Sequence, residues 1–211
     1  MMWGCSDLAG TGKNSFHPIV SLPEHYWVLN LQRPQTDWAN PYTVTIGRYD
    51  EDRKGMYTQE LFGGERTIHV GLDIGAPAET PIYAFQDGLI HSFADNDEEG
   101  SYGPTIITEH SLQIGGVQTS LWVLHGHLSR ESLQGLKIGE RILQGQEVGR
   151  MGCEEENGGW PPHVHIQLSL IEPQEADLPG VVTPEDRIQA LLDYPDPRTF
   201  LEWCIRNQFA R

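Results

Sequence analysis

The sequence predicts a mainly β protein of the α+β class, with an antiparallel sheet as its core and helices at the C-terminal end. Between residues 42 and 172, short apolar runs rich in β-branched and aromatic residues are separated by Gly, Pro, Asn and Asp. After residue 172 the apolar residues recur at helical spacing instead. The pattern therefore divides the chain into an N-terminal extension over 1–41, a β domain over 42–172 and a helical extension over 173–211.

Each element has its own sequence signal. The stretch at 26–32 predicts a peripheral strand within the N-terminal extension, and a turn-rich connection follows it. The segment TPEDRIQALLDY opens with a Thr-x-x-Asp cap and predicts a helix, and Asp196 and Pro197 precede a second helix, RTFLEWCIRNQF. Between these ends, strands are predicted for eight runs: YTVTIGRY, ERTIHVGLDI, TPIYAF, GLIHSFA, PTIITEH, TSLWVLHGHL, QEVGRMG and HVHIQLSLI.

The charge of the chain excludes several kinds of partner. It carries 14 basic and 30 acidic residues, which gives a net charge of −16. Such a charge repels nucleic acid and anionic membrane surfaces, so we expect neither as a partner. No apolar run approaches the roughly 20 residues that a membrane-spanning helix needs. The beginning of the sequence lacks the basic and apolar regions of a signal peptide, which predicts a cytoplasmic protein.

The three cysteines, Cys5, Cys153 and Cys204, are odd in number and widely spaced. This pattern argues against a disulfide framework and indicates a reducing compartment. The cysteines also lack the C-x-x-C spacing of a structural zinc site. Any metal in this protein is therefore expected to be held by ligands other than sulfur.

Histidines cluster in short motifs within the predicted strands. His163 and His165 stand one residue apart after GGWPP, so at strand spacing both imidazoles would project from one face. The motif LHGHLS repeats this spacing with His125 and His127, after the strand SLWVL. The sequence thus predicts two strands that each end in His-x-His.

A third motif, HVGLD, adds a carboxylate. His69 and Asp73 lie at the end of an apolar strand and before the turn-forming Gly-Ala-Pro, where a strand end and a loop can bring both side chains to one point. Each motif alone is typical of ordinary hydrogen-bonded polar side chains. Together they supply the nitrogen and oxygen donors that suit zinc, and two histidines with one carboxylate satisfy a catalytic zinc site.

The ordered set of motifs resembles the lysostaphin-type zinc metallopeptidases, the peptidoglycan endopeptidase family. The resemblance covers roughly residues 65–170 and implies a lysostaphin-like, barrel-sandwich-like antiparallel fold. It also implies one zinc ion per chain and hydrolysis of a peptide or amide bond in the substrate. The matching elements, in chain order, are HVGLD, APAETPIYAFQDGLI, HGHLS, GERILQGQEVGRMG and PHVHIQ.

The resemblance also implies roles for individual residues. Carried over position by position, it makes His69, Asp73 and His165 the zinc ligands. It makes His127 and His163 the catalytic histidines that flank the metal without binding it. A neighbouring imidazole can take a proton from the attacking water or stabilise the oxyanion of the tetrahedral intermediate. The sequence leaves open which of the two histidines has which role.

Two positions depart from the family pattern. His125 stands where the family commonly has Tyr, which indicates a neutral exchange, a contact behind the ligands or a rival ligand. Trp160 is a bulky residue where small ones are common, and it is either a wall of the substrate groove or part of a packed loop. The three alternatives for His125 and the two for Trp160 are open on the sequence alone.

Other functions remain open beside peptidoglycan hydrolysis. The stretches SFADNDEEGSYGPTIITEH, HGHLSRESLQGLKIGE and ENGGWPPHVHIQL resemble the peptidase-like domain of bacterial fusion proteins that also contain a kinase-like domain and an aminotransferase. That resemblance implies a cytoplasmic amidase with a small-metabolite substrate. A non-catalytic binding or activator module of the same fold would be expected to have lost metal ligands. A biotinyl-lipoyl-like carrier would need an exposed lysine between hairpins, and Lys137 fits that position poorly.

Overall fold

A computed structural model describes residues 16–32, 42–114 and 116–198. The described part contains one α-helix, α1 (Arg187–Asp193), and two short 3₁₀ turns, Glu60–Phe62 and Arg130–Leu133. All other regular structure is strand, which confirms the mainly β prediction. The strands are β1 (Trp27–Val28), β2 (Thr45–Gly47), β3 (Glu51–Asp52), β4 (Ile68–His69), β5 (Leu72–Gly75), β6 (Pro81–Tyr83), β7 (Gly88–Asn96), β8 (Gly103–Ile114), β9 (Val117–Gly126), β10 (Arg141–Ile142), β11 (Glu147–Arg150), β12 (His163–Ser169) and β13 (Val181–Val182).

The strands form one large sheet and two small ones. The large sheet has eight strands in the order β1-β2-β5-β12-β9-β8-β7-β10, and its pairs are antiparallel except for β1 with β2. The small sheets pair β11 with β6 and order three strands as β13-β4-β3. Strand β12 therefore lies inside the large sheet, between β5 and β9, and its neighbours fix its register on both sides.

The two faces of the large sheet have different environments. Val164, Ile166 and Leu168 of β12 belong to the main hydrophobic core. His163 and His165 alternate with them, so they project from the opposite face. The alternation in HVHIQLS therefore gives β12 two different faces. Its aliphatic residues fill the core, and His163 and His165 project from the other face.

Two predicted strands differ from the structure in extent. The strand predicted at 26–32 is only Trp27–Val28 in the structure. The run ERTIHVGLDI was predicted as a single strand, but it forms β4 and β5, which belong to different sheets. The chain changes sheets between β4 and β5, and the His165 ring occupies the space where a side chain at Gly71 would lie. Between these two strands the run contains no turn-forming residue other than Gly71, so its pattern did not reveal this change.

The C-terminal part of the described chain agrees partly with the prediction. The hydroxyl of Thr183 donates to Asp186, whose backbone N–H donates back to Thr183, so the predicted cap forms ahead of α1. The strand β13 precedes this cap. The second predicted helix, RTFLEWCIRNQF, lies almost entirely outside the described residues, as do Cys5 and Cys204. The division into 1–41, 42–172 and 173–211 stays a prediction. No helix within the described ranges has the length and apolar character needed to span a membrane.

The alternation in β12 predicts the effect of a core truncation. Ile166 is 0% exposed in the main core, so we expect Ile166→Ala to lower the free energy of unfolding by about 2–5 kcal/mol through lost burial and the cavity left behind. Urea unfolding of the metal-free protein measures this change. Ile171→Ala is the matched control, because Ile171 is 51% exposed and its truncation should change stability by less than about 0.5 kcal/mol. Equal losses in both variants would contradict the packing described here.

Candidate metal centre

Strand pairing brings three candidate ligands together. In the antiparallel pair of β12 and β5, His165 stands directly opposite Asp73. His69 lies at the end of β4, where the chain crosses to β5. His69, Asp73 and His165 form the group of side chains that could hold a metal ion among the described residues. The sequence predicted both residues at the end of one apolar strand; in the structure His69 ends β4 and Asp73 lies in β5.

The donor atoms of these three residues are close to one another. His69 Nε2 lies 3.1 Å from His165 Nδ1 and 3.2 Å from Asp73 Oδ1. His165 Nδ1 lies 3.0 Å from Asp73 Oδ1. A tetrahedral zinc ion about 2.0–2.1 Å from each ligand would require separations of about 3.3–3.4 Å. The three donors are therefore arranged as one face of a zinc coordination tetrahedron.

The outer nitrogen of each ligand histidine is bonded so that the inner one is free for a metal. His69 Nδ1–H donates to the carbonyl of Arg48 at 2.8 Å, which leaves the lone pair on Nε2. His165 Nε2–H donates to Gln167 Oε1 at 3.1 Å, which leaves the lone pair on Nδ1. The Tyr102 hydroxyl also donates to Gln167 Oε1, at 3.3 Å. Such outer bonds fix the tautomer and the orientation of metal-binding imidazoles.

Arg53 holds the other oxygen of the carboxylate ligand. Its Nη1 donates to Asp73 Oδ2 at 2.7 Å and to the Tyr57 hydroxyl at 3.0 Å, and its Nε donates to Glu51 Oε2 at 3.1 Å. Arg53 and Glu51 are each 2% exposed. The backbone N–H of Leu31 donates to Glu51 Oε1, so the glutamate is anchored in turn. Sequence reasoning missed this chain of contacts, because DEDRK has the composition of a solvated loop.

Electrostatics keeps the ligands in the protonation states that a metal needs. Burial raises the pKa of Asp73, but the nearby His69 and Arg53 outweigh it and hold that pKa well below the usual range. Burial, helped by the Arg53 charge, lowers the pKa of His69 to about 4. An ionised carboxylate and a neutral imidazole are the forms that bind metal. At neutral pH these two groups do not have to lose a proton before a metal binds.

Two glycines provide the space for this centre. A Cβ on Gly71 would lie 2.2 Å from Cε1 of His165, inside the ring's van der Waals envelope. A Cβ on Gly47 would lie 2.7 Å from Asp73 Oδ2 and 2.8 Å from Arg53 Nη2. Both contacts are shorter than real Cβ atoms tolerate. His165 therefore has room because Gly71 carries no side chain. The pair formed by Arg53 and Asp73 has room because Gly47 carries none.

The two histidines predicted to be catalytic flank the ligands. Their rings are in tilted contact, with centroids 4.2 Å apart and an interplanar angle of 36°. His127 Nδ1–H donates to the carbonyl of Asn157 at 2.8 Å, and His163 Nδ1–H donates to that of Pro161 at 2.7 Å. Both rings therefore keep an unprotonated Nε2, and that of His163 is 3.9 Å from Asp73 Oδ1. Burial lowers the pKa of both histidines, and the neighbouring His163 lowers the pKa of His127 further.

His125 is not a rival ligand, although it is two residues from His127. Strand β9 ends at Gly126, and His127 has a left-handed backbone with φ of 62°. This break in the alternation turns His127 toward the ligands. His125 stays on the core face, 1% exposed, and its Nδ1–H donates to the carbonyl of Ile106. The predicted pattern of two strands that each end in His-x-His is therefore wrong. His163 and His165 lie at the start of β12. His125 lies in β9, and His127 follows the end of that strand.

A cavity of about 420 Å³ opens beside the metal ligands. The loop between β3 and β4 supplies one apolar wall, with Tyr57 and Phe62 in ring contact at 4.9 Å. Trp160 forms the facing wall and meets Tyr57 edge-on at 6.2 Å. Its indole N–H donates to the carbonyl of Gly100 at 3.2 Å. Trp160 is therefore both a wall of the cavity and a packed loop residue, the two alternatives that the sequence left open.

Comparison with known proteins shows the family to which the matched residues belong. The model of peptidase family M23 matches residues 67–177. The peptidoglycan DD-endopeptidase ShyC of Vibrio cholerae is 31% identical over 105 residues, which are 50% of this chain and 21% of that protein. The DD-carboxypeptidase/endopeptidase Mpg of Neisseria meningitidis is 31% identical over 123 residues, 56% of this chain and 24% of that protein. The chain thus spans about a quarter or less of the length of these curated relatives.

Two of the solved structures that this chain resembles are peptidases. The catalytic domain of lysostaphin from Staphylococcus simulans is 21% identical, with 68% of this chain and 91% of that one covered and a TM-score of 0.41. A zinc-containing peptidase from Vibrio cholerae is 22% identical, with 56% and 30% covered and a TM-score of 0.41.

The contact between Arg53 and Asp73 predicts a change in metal affinity. Arg53→Gln should weaken zinc binding by about 10- to 100-fold, because the carboxylate loses the group that orients it. It should also lower the free energy of unfolding by about 3–5 kcal/mol, because the buried Glu51 carboxylate loses its partner. Titration against a chelating dye measures the first effect, and urea unfolding the second.

The double variant Glu51→Gln/Arg53→Gln separates the two effects. It removes both buried charges together, so most of the stability should return while zinc affinity stays low. Arg141→Gln is the matched surface control, since Arg141 pairs only with the exposed Asp87. Wild-type zinc affinity in the double variant would contradict the orienting role of Arg53.

The buried His125 predicts a pH dependence of stability. Burial lowers its pKa from 6.5 to about 4. Between these values the unfolded chain binds a proton that the folded chain does not, so stability is full above pH 6.5 and is lost as the pH falls toward 4. At pH 5 this histidine alone should cost about 1–2 kcal/mol.

Urea unfolding of metal-free wild type and His125→Gln at pH 7.5 and pH 5 tests this expectation. The stability difference between the two proteins should shrink, or reverse in favour of the variant, as the pH falls. A difference that does not change with pH would contradict a neutral, buried His125. The comparison cancels contributions from other groups, including His110, whose pKa burial also lowers to about 4.

Proposed function

The chain belongs to peptidase family M23, and on that premise we propose that it is a zinc-dependent hydrolase of a peptide or amide bond. The observation that carries the proposal is the set of three donor atoms, from His69, Asp73 and His165, that lie 3.0–3.2 Å apart. Two imidazoles and one carboxylate are a ligand set of catalytic zinc, with a further position left for water or substrate. The residues present therefore fit the metal that the family implies.

Zinc bound by these residues would act as a Lewis acid toward the scissile carbonyl and the attacking water. The protein's own groups supply the proton transfers. His127 and His163 each present an unprotonated Nε2 beside the ligands, and their lowered pKa values keep them neutral at pH 7. One accepts the proton of the attacking water at Nε2 and then donates that same proton to the leaving nitrogen, while the other, after taking a proton from solvent, stabilises the oxyanion from its Nε2.

The substrate that we propose first is a peptide of peptidoglycan. The support is the activity for which the relatives ShyC and Mpg are named, DD-endopeptidase and DD-carboxypeptidase/endopeptidase. The second candidate is a small amide-linked metabolite, hydrolysed in the cytoplasm. The cavity of about 420 Å³, which has the size of a small-ligand site, favours it, as does the resemblance to the peptidase-like domain of kinase and aminotransferase fusion proteins.

Metal content is the first test of this function. Elemental mass spectrometry of the untagged wild type should find about one zinc per chain, and Asp73→Ala should lose it, because two histidines alone do not complete the ligand set. His127→Ala and His163→Ala should keep the zinc but lower kcat by about 10²–10⁴. Hydrolysis is measured on cross-linked peptidoglycan peptides, oligoglycine and small amides.

Two outcomes would contradict the proposal. One is a wild-type protein without zinc even after zinc is added. The other is full hydrolysis by both histidine variants. Cleavage of small amides without cleavage of peptidoglycan peptides would favour the second candidate over the first. His91→Ala is a suitable control, since His91 lies in β7 beside Ser92 and does not line the cavity.

A further inference from the structure

The charged groups in the cavity wall differ in whether the protein already uses them. Two arginines and two aspartates line the cavity: Arg53, Arg66, Asp73 and Asp177. Arg53 is 2% exposed, and four of its five N–H groups donate to Glu51, Asp73, Tyr57 and the Arg48 carbonyl, so its guanidinium is held within the protein. Asp73 belongs to the metal centre. The two groups free to meet a substrate are therefore Arg66 and Asp177.

Arg66 is available for a ligand. Within the described ranges, its side chain forms no hydrogen bond and no ion pair, and only its backbone N–H is bonded, to the carbonyl of Phe62. Asp177 is near enough to interact with it electrostatically, but no ion pair joins the two. One oxygen of Asp177 accepts the N–H of Leu178, and burial raises the pKa of this carboxyl. Arg66 is thus an arginine of the cavity lining whose guanidinium has no hydrogen-bond or ion-pair partner among the described residues. The chain around it carries a net charge of −16.

The position of Arg66 limits how far its ligand can be from the reacting bond. Arg66 precedes the metal ligand His69 by three residues, so their Cα atoms are at most about 10 Å apart. A flexible arginine side chain from that position can reach a group one or two residues from the metal. The lining of the same cavity also includes the apolar residues Leu61, Phe62 and Leu178.

We propose that Arg66 is a specificity-determining residue that binds a carboxylate of the substrate, one or two residues from the scissile bond. The inference rests on the proposed hydrolase function. It names the substrate class: a short peptide or acyl-amide whose apolar group lies against Phe62 and Leu178 and whose free carboxylate pairs with the guanidinium. A planar guanidinium binds a carboxylate through two parallel hydrogen bonds, which an uncharged amide cannot reproduce.

A matched pair of ligands tests this assignment by binding alone. N-acetyl-D-alanyl-D-alanine and its C-terminal amide differ only in the group that Arg66 would recognise. We expect the zinc-loaded wild type to bind the acid about tenfold more tightly than the amide in NMR titrations. Arg66→Gln should bind both with similar affinity, and Arg141→Gln should keep the wild-type preference.

Each alternative outcome overturns the proposal. If Arg66→Gln still prefers the acid, the carboxylate binds the metal or another group. If the wild type binds both ligands equally, or binds neither, the cavity does not select this substrate class. Zinc content and urea unfolding of Arg66→Gln should match the wild type, because Arg66 is exposed and its side chain makes no hydrogen bond to the three candidate ligands.

The same titration with metal-free protein separates this proposal from the proposed function. A preference for the acid that depends on Arg66 but persists without zinc would support the carboxylate site even if no hydrolysis were found. Zinc binding and hydrolysis without any acid preference would leave the proposed function intact and overturn the role of Arg66.

Discussion

The register between β12 and β5 is the constraint on which the whole site depends. It sets His165 opposite Asp73 and leaves the alternate residues of β12 in the core. Because side chains alternate with a period of two, a slip of one residue would move both histidines into the core and three aliphatic side chains out of it. The hydrophobic effect thus fixes the position of the polar site. Core packing and metal-ligand geometry are two results of one pairing.

The charged side chains behind the candidate ligands compensate one another. A buried carboxylate next to a divalent cation can be oriented by a cation of its own, and Arg53 provides it at 2.7 Å. Glu51 neutralises the guanidinium in turn, so the buried charges form a chain in which each has a partner. The chain crosses from β3 to β5, between two sheets. It therefore joins the small sheet that carries His69 to the large sheet that carries Asp73 and His165.

The sequence predicts the fold class from local patterns, and it predicts the candidate ligands from the resemblance of its ordered motifs to a known family. Alternating apolar residues identify the strands, and the spacing of His163 and His165 is itself a strand signal. Arg53 and Gly71 could not be identified in this way, because their importance comes from neighbours distant in the chain. The different positions of His125 and His127 depend on one left-handed backbone angle at His127. No periodic pattern encodes an angle that costs about 1–3 kcal/mol and persists only because the surrounding structure imposes it.

The hydroxyl of Tyr57 connects the cavity to the metal centre, because it accepts a hydrogen bond from the guanidinium that holds Asp73. A ligand that packs against the Tyr57 ring and steadies it also steadies Arg53, and through Arg53 the carboxylate. Thermodynamic linkage makes such an effect reciprocal: whatever factor the cavity occupant contributes to zinc affinity, zinc contributes to the affinity for that occupant. An inhibitor built against the aromatic wall alone, with no group that chelates the ion, would on this basis be a ligand whose potency follows the zinc concentration of its surroundings.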